Sequence, residues 1–354
     1  MSAPGLFSYE TLEAAAAGVL RALGVPEADA ALTAQVFVGA DISGEPSHGL
    51  RLLVTVCERI EAGGHRAETR IDVVRDFGAI AVWTAHGSLG QVIASRAMDT
   101  AMARARDHGI GLVTVRDATS LTSAKHYALQ AARAGCIGLV YSNASRKVMT
   151  PPGGTLPVMG NNPMAAAAPA GRHGAVCLDM AMTEVAIERI NIARERGAPI
   201  PPTWALGPDG EPTTDPEVAA REMILQPFGG YKAFGLGLMT EILTSALAGG
   251  EIFAGAATGF RPLDNPMRTS FTLVALDLAA FDEPGAFEAR VETMIDTLKA
   301  VPAKEPGQEI LFPGERSGRT VAARRRDGVP VAPGTMAAFA ALCDRLGVSA
   351  PRSG

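Results

Sequence analysis

The chain has 354 residues, enough for about two domains of ordinary size, and its 47% apolar against 19% charged content describes a well-buried globular protein rather than a disordered one. Its 32 Lys and Arg against 37 Asp and Glu leave a net charge of −5, which offers no electrostatic reason to bind nucleic acid or an anionic membrane and points to a small-molecule partner. Cys57, Cys136, Cys177 and Cys343 are scattered, form no CxxC pair and read as reduced, buried thiols; with no basic and apolar leader in residues 1–9 and no run of eighteen uncharged apolar residues, the expected location is the cytoplasm.

Ser8 as N-cap, Glu10 in the first turn and Gly24 as a stop frame a helix over 11–23, and Pro26-Glu27-Ala28-Asp29 opens a second that runs toward Asp41. Residues 40–46 then lead into Ser47-His48-Gly49 and an apolar helix, which sets a titratable imidazole at a glycine-punctuated helix start. Between 69 and 84, Ile-Asp-Val-Val and Ala-Ile-Ala-Val-Trp predict a strand pair, after which 90–108 returns to helical spacing. Short apolar runs at 111–116, 137–142, 164–169 and 175–181, separated by a helix at 123–134 and Gly/Pro-rich turns, predict an α/β core. Helices are expected at 184–197 and 232–248, a strand at 270–278, and helices near 284–300, 316–326 and 334–346. Residues 199–216 read as a long ordered loop of the kind that covers sites.

A Rossmann nucleotide site needs G-x-G-x-x-G after a strand, and none is present. Gly87-Ser88-Leu89-Gly90 and Gly235-Leu236-Gly237 lack the third glycine, while Gly230 to Gly235 has Walker-like spacing without the Lys-Ser/Thr that binds phosphate. Any nucleotide site is therefore of another kind. Gly229-Gly230-Tyr231-Lys232 opens a long helix with free backbone N–H groups and a cation, although Lys232 alone reads equally well as a solvated helix residue. His48 by itself is more readily a helix cap than a proton donor. Asp179, at the end of an apolar strand, is costly to bury without a partner; it orients a histidine, binds a hydroxyl, or caps the helix near Glu184. Pro313-Gly314-Glu315-Arg316 is, in its plainest reading, a helix N-terminus.

Taken in order, a set of segments resembles the malate/L-lactate dehydrogenase family, which lacks a Rossmann fold and includes sulfolactate, ureidoglycolate and diketogulonate enzymes and Δ1-piperideine-2-carboxylate reductases. They are Ser47-His48-Gly49, His108-Gly109-Ile110-Gly111, Pro151-Pro152-Gly153-Gly154, Gly160-Asn161-Asn162-Pro163, Leu178-Asp179-Met180-Ala181, Trp204-Ala205 with Pro212-Thr213-Thr214-Asp215-Pro216, Gly229-Gly230-Tyr231-Lys232 and Pro313-Gly314-Glu315-Arg316. The resemblance spans nearly the whole chain. It implies a non-Rossmann, sulfolactate-dehydrogenase-like α/β fold, with a mixed-sheet cofactor domain at about 71–283 and a helical domain built from 1–70 and about 284–354. It further implies a homodimer, NADH or NADPH as cofactor, no metal, and a 2-oxo acid, 2-hydroxy acid or cyclic 2-imino acid as substrate. By match to the motifs, His48 is the proton donor in reduction, with Ser47 beside it and Asp179 as orienting partner. Asn161, Met180, Met182, Thr183, Tyr231, Lys232, Gly314, Glu315 and Arg316 contact the dinucleotide.

Two departures bear on the substrate. The family follows Ser-His-Gly with two residues and then an Arg suited to clamp a carboxylate, where this chain has Leu52; Arg51 is rotated from that position by about 100° on a helix. Where relatives read Asn-His-Phe-Gly, this chain reads Thr119-Ser120-Leu121-Thr122. Hydrogen bonds to charged groups contribute about 1.5–3 kcal/mol each, so an unreplaced clamp points to a changed substrate. Arg51, Ser120 and Thr122 are the candidate substrate contacts, with Lys125 or His126 one helical turn further on. Two alternatives stay open: redox-neutral chemistry through transient oxidation, and a dinucleotide-binding paralogue without catalysis.

Overall fold

A computed structural model describes residues 4–253 and 261–353. Ser8 caps the first helix, its hydroxyl accepting the Thr11 amide at 3.1 Å. In chain order the elements are β1 (Gly5–Phe7), α1 (Tyr9–Ala22), α2 (Glu27–Ile42), a 3-10 turn (Pro46–His48), α3 (Leu50–Glu61), β2 (Asp72–Phe77), β3 (Ile80–Thr84), α4 (Gly90–His108), β4 (Ile110–Ala118), α5 (Ala124–Arg133) and β5 (Cys136–Ser142). They continue with β6 (Met164–Pro169), β7 (Ala175–Met180), α6 (Ile187–Glu195), β8 (Ala205–Leu206), β9 (Pro212–Thr213), α7 (Pro216–Glu222), β10 (Ile224–Leu225) and α8 (Tyr231–Glu241). The last are β11 (Thr269–Asp277), α9 (Ala286–Lys299), α10 (Glu315–Asp327), β12 (Val329–Val331) and α11 (Pro333–Arg345).

Seven strands form one sheet in the order β2-β3-β4-β11-β5-β6-β7. In this sheet only β3 and β4 run parallel, with α4 as their crossover, and the other neighbours are antiparallel. A doubly wound nucleotide fold is built on successive parallel strands, so the topology agrees with the missing glycine fingerprint. β11 enters between β4 and β5 and is buried from Thr269 to Ala275, which is why its sequence is a nearly unbroken apolar and threonine run. Ala94, Ala97, Ala101 and Ala105 of α4, with Ala128 and Ala131 of α5, face this sheet fully buried.

A second core joins the two ends of the chain. Leu12, Phe37, Leu53, Phe339 and Leu342 pack together, and β1 pairs with β12 above them. α9 packs elsewhere, on the turn between β6 and β7, through Val291 and Ile295 against Ala170 and Phe312.

The region 184–225 differs from its sequence expectation. Residues 199–216 carry β8 and β9, which with β10 form a small antiparallel sheet, and α7 follows with Asp215 accepting the Glu217 amide at 2.8 Å. Strands of two residues show no period to read. The helix expected at 184–197 spans only Ile187–Glu195, because Thr183 pairs in strand fashion with Pro227 and Glu184 donates its amide to Gln226. The helix expected at 232–248 is α8 continued through a π turn at Ile242–Ala246.

Candidate active site

The placement of His48 begins with Asp41. Its carboxylate, carried on the last turn of α2, reaches over the start of α3 and accepts the Leu50 amide at 2.8 Å. A Cβ on residue 49 would lie 2.0 Å from that carboxylate, so the glycine of Ser47-His48-Gly49 is the space the cap occupies. Burial pushes the Asp41 carboxyl up to about 7, opposed by the Leu50 amide and by Arg324 of α10, which also donates to the Asp41 carbonyl. The Pro46–His48 turn is thereby clamped between two helices. Within it the His48 amide donates to the Glu45 carbonyl at 2.9 Å, and Ser47 Oγ lies 3.0 Å from His48 Nδ1. His48 Nε2 has no hydrogen-bond partner among the described residues.

Three further elements converge on this turn. Lys125, buried in the first turn of α5, forms an ion pair with Glu45 and lies 3.2 Å from Ser317 Oγ on α10; Ser317 in turn donates to the Ser43 carbonyl at 3.4 Å. Asp179, near the end of β7, has Lys125 at the start of α5 and Glu45 as its charged neighbours, and Ser123, the N-cap residue of α5, makes no side-chain capping bond. His48 and Asp179 are both exposed at the surface, so Asp179 is not the buried strand-end acid its sequence suggests, although protein surrounds each on its other sides. Desolvation pushes Asp179 up to about 7, with Glu45 adding to the rise and Lys125 opposing it. Desolvation lowers the His48 imidazole from its ordinary range, Lys125 lowers it further and Glu45 opposes. No hydrogen bond joins Asp179 to His48 among the described residues; they share Glu45 and Lys125 as charged neighbours. His126 packs edge-on against Tyr127 at 5.2 Å, away from this cluster.

Gly229 and Gly230, with φ of 58° and 64°, precede α8 in a conformation that favours glycine. They border a recess of about 650 Å³ also lined by Thr150, Glu184, Thr203 and Gln226. Tyr231 is 72% exposed at its edge, and Lys232 is exposed with no ion pair among the described residues. Gly314, with φ of 94°, packs on Cys177, whose amide donates to the Pro313 carbonyl at 2.9 Å, so the α10 N-terminus abuts β7 close to Asp179. Arg316 is exposed there with no ion pair among the described residues.

Several side chains expected to meet ligands are committed elsewhere. Met182 is fully buried among Met149, Met159 and Ala233, and the Thr183 hydroxyl donates to the Val185 carbonyl at 3.0 Å; the sequence around them fixes a hydrophobic floor under α8. Met180 lines the same cluster, half-buried. The Asn161 carbonyl accepts the Met182 amide at 2.8 Å, while its neighbour Asn162 is buried and holds Glu241 at 2.8 Å. Glu315 is tied to Lys299 at 2.8 Å and Arg319 at 2.6 Å and accepts the Phe312 amide, which makes it a local brace. Arg51 is paired with Glu188 of α6, and Leu52 packs into the core shared by the chain ends. Ser120 Oγ accepts the Thr122 amide at 3.2 Å and Thr122 Oγ1 accepts from Gln91 at 2.6 Å, so both hydroxyls shape the loop over α4. Sequence reasoning assigned no role to Asp41, Glu45 or Ser317. Their partners lie on other elements, and only the helix-start glycine at 49 signals that something is admitted there.

Fold and site together define an enzyme of the dehydrogenase and reductase class. The sequence profile of the malate/L-lactate dehydrogenase family matches residues 7–340, and the chain belongs to that family. It is 33% identical over 311 residues to the L-sulfolactate dehydrogenase of Methanothermobacter thermautotrophicus, covering 88% of each chain. It is 31% identical over 278 residues to the (2R)-3-sulfolactate dehydrogenase (NADP(+)) of Chromohalobacter salexigens, covering 78% of this chain and 83% of that one. The solved sulfolactate dehydrogenase from Methanocaldococcus jannaschii superposes with a TM-score of 0.89 at 32% identity, over 97% of this chain and 98% of the other. The chain is an oxidoreductase of the 2-hydroxy acid dehydrogenase type, and the family works with a nicotinamide cofactor.

Proposed function

We propose that the protein interconverts a small 2-hydroxy acid with its 2-oxo acid, or reduces a cyclic 2-imino acid, with His48 giving the proton in reduction and taking it in oxidation. The observation that carries this is the clamped turn. Ser47 occupies Nδ1 of His48 and leaves Nε2 as the nitrogen open to a ligand, and an imidazole exchanges protons near neutral pH. A bound NADH or NADPH supplies or accepts the hydride at C2 of the substrate.

The residues present fit such a dinucleotide. The recess beside Gly229 and Gly230 is large enough for part of it, backbone N–H groups at the start of α8 face anionic groups, and Lys232 and Arg316 are exposed cations without ion pairs among the described residues. The sulfolactate dehydrogenases among the relatives favour 2-hydroxy acids bearing a second acidic group as the first substrates to try.

An apolar strip on α8 and its π-turn extension supports a homodimer: Leu236, Met239, Ile242 and Leu247 are 44–52% exposed. No helix among the described residues is long and apolar enough to cross a membrane, and the four cysteines are free and buried, which supports a reducing cytoplasmic setting. The proposed division is a helical domain from the two chain ends and an α/β cofactor domain between them, with α9 packing on the latter.

The test is oxidation of NADH and of NADPH in the presence of pyruvate, oxaloacetate, a sulfonated 2-oxo acid and cyclic ketimines, with cofactor binding followed by fluorescence. Turnover with one acceptor class fixes the reaction. Tight cofactor binding with no turnover across the panel rejects it in favour of redox-neutral chemistry or a silent paralogue.

A further inference from the structure

Glu45, Lys125, Asp179 and Ser317 come from four separate parts of the fold, yet they meet beside His48. Glu45 rides on the same turn as the imidazole, since its carbonyl accepts the His48 amide. Lys125 enters from α5, pairs with Glu45 and is steadied by Ser317 of α10. Asp179 enters from β7, with Glu45 and Lys125 as its charged neighbours. The other titratable group at this junction is Cys177 on β7, buried and neutral, with Arg133 at the far end of α5 acting on it weakly. A lysine that is 8% exposed needs a reason for being inside, and a single surface ion pair does not supply one.

We propose that Lys125 and Glu45 form a charge couple that sets how readily the His48 and Asp179 corner gives up its proton, Lys125 driving release and Glu45 favouring retention. Lys125 is thus a positioning residue. It touches neither the imidazole nor, on this reading, the substrate, and acts by placing one positive charge against two carboxylates and a histidine. Both members of the couple act on both titrating groups with the same sign: the ammonium lowers the proton affinity of His48 and of Asp179, and the Glu45 carboxylate raises both. Pairing the two holds the corner near neutrality, and Ser317 prevents the ammonium from swinging out to solvent. The inference rests on the reading of His48 as proton donor.

The experiment is an NMR titration of the His48 ring resonances in the full-length wild type, Lys125→Met, Lys125→Arg and Glu45→Gln, alongside the pH dependence of kcat/KM for reduction. The His48 midpoint is expected to move up in Lys125→Met and down in Glu45→Gln, and to stay near wild type in Lys125→Arg. On the alkaline limb, where neutral His48 starves the reduction of its proton, kcat/KM of Lys125→Met is expected to rise on the order of three- to tenfold relative to the wild-type limb. A purely structural Lys125 gives no opposed shifts, so midpoints that stay put, or move the same way in both variants, overturn the proposal. If Lys125→Met does not fold, the opposed pair becomes Glu45→Gln against Lys125→Arg, and an unchanged Glu45→Gln midpoint overturns it. Opposed midpoints with an unmoved kcat/KM limb uphold the couple and reject His48 as the proton donor.

Discussion

The corner that holds His48 and the ledge that opens α8 are built on opposite principles. At the first, the surroundings of the imidazole are tied together: Asp41 caps α3, Glu45 holds Lys125, Ser47 meets His48 Nδ1, and Ser317 ties α10 to the end of α2. At the second, two left-handed glycines border an open recess and lead into an exposed tyrosine and an exposed lysine that has no ion pair among the described residues. A proton donor works by having its environment fixed before the substrate arrives, whereas a large flexible dinucleotide is met by accessible backbone and cations that it orders itself. The chain builds the first from contacts distant in sequence and the second from one contiguous motif.

The sharpest way to break this contrast is His48→Ala, which is expected to lower kcat by about 10²- to 10⁴-fold with little change in melting temperature; near-normal turnover under conditions where chemistry limits the rate defeats the assignment. Gly49→Ala probes the crowding behind the imidazole. Its Cβ would meet the Asp41 carboxylate at 2.0 Å, so a stability loss on the order of 2–3 kcal/mol is expected in thermal melts, together with reduced turnover. Lys232→Ala probes the open ledge, where about a tenfold rise in cofactor KM is expected with kcat and stability close to wild type. A melting defect in that variant instead would show that the ledge, too, is structural.

The smallest effect is read from pH. The Asp41 carboxyl, near 3.8 when unfolded and about 7 when folded, binds more protons in the native state between those values, so its share of stability falls as pH rises from about 4 to 7. Asp179 has the same sign. Asp41→Asn keeps an acceptor for the Leu50 amide and removes one titration, so it is expected to flatten the decline in melting temperature over that range. A slope identical to wild type counts against a buried, protonatable Asp41.

The fold was legible wherever one face of a long element met one core. The 90–108 helix and the strands at 164–169 and 175–181 carry enough period to be placed within a residue or so, and the site motifs at 47–49 and 229–232 do stand at helix starts. What escaped has physical reasons. β8, β9 and β10 are two residues each, and their pairing is decided by neighbours. Glu315 and Met182 are expected from the resemblance to meet a ligand, yet the one is paired with Lys299 and the other fills an apolar cluster, because a motif records which residues are needed and not which atoms face outward. Asp179 reads along the chain as an acid at a strand end that is costly to bury; the fold leaves it exposed with Lys125 and Glu45 as charged neighbours, a grouping set by other elements and invisible along the chain.

The pairing of β1 with β12 has a consequence for how the molecule is made. Gly5–Phe7 leaves the ribosome before the whole central sheet, and its hydrogen-bonding partner Val329–Val331 emerges only after that sheet has been made. The helices α2 and α3, which flank the turn of Glu45 and His48, share their core with Phe339 and Leu342 of α11, so they wait for it with apolar surface uncovered while the central sheet is assembled. A chain cut short before α10 has the segments that carry His48 and Lys232 and still lacks the lid of that core, and nascent copies at that stage are the ones most in need of a chaperone.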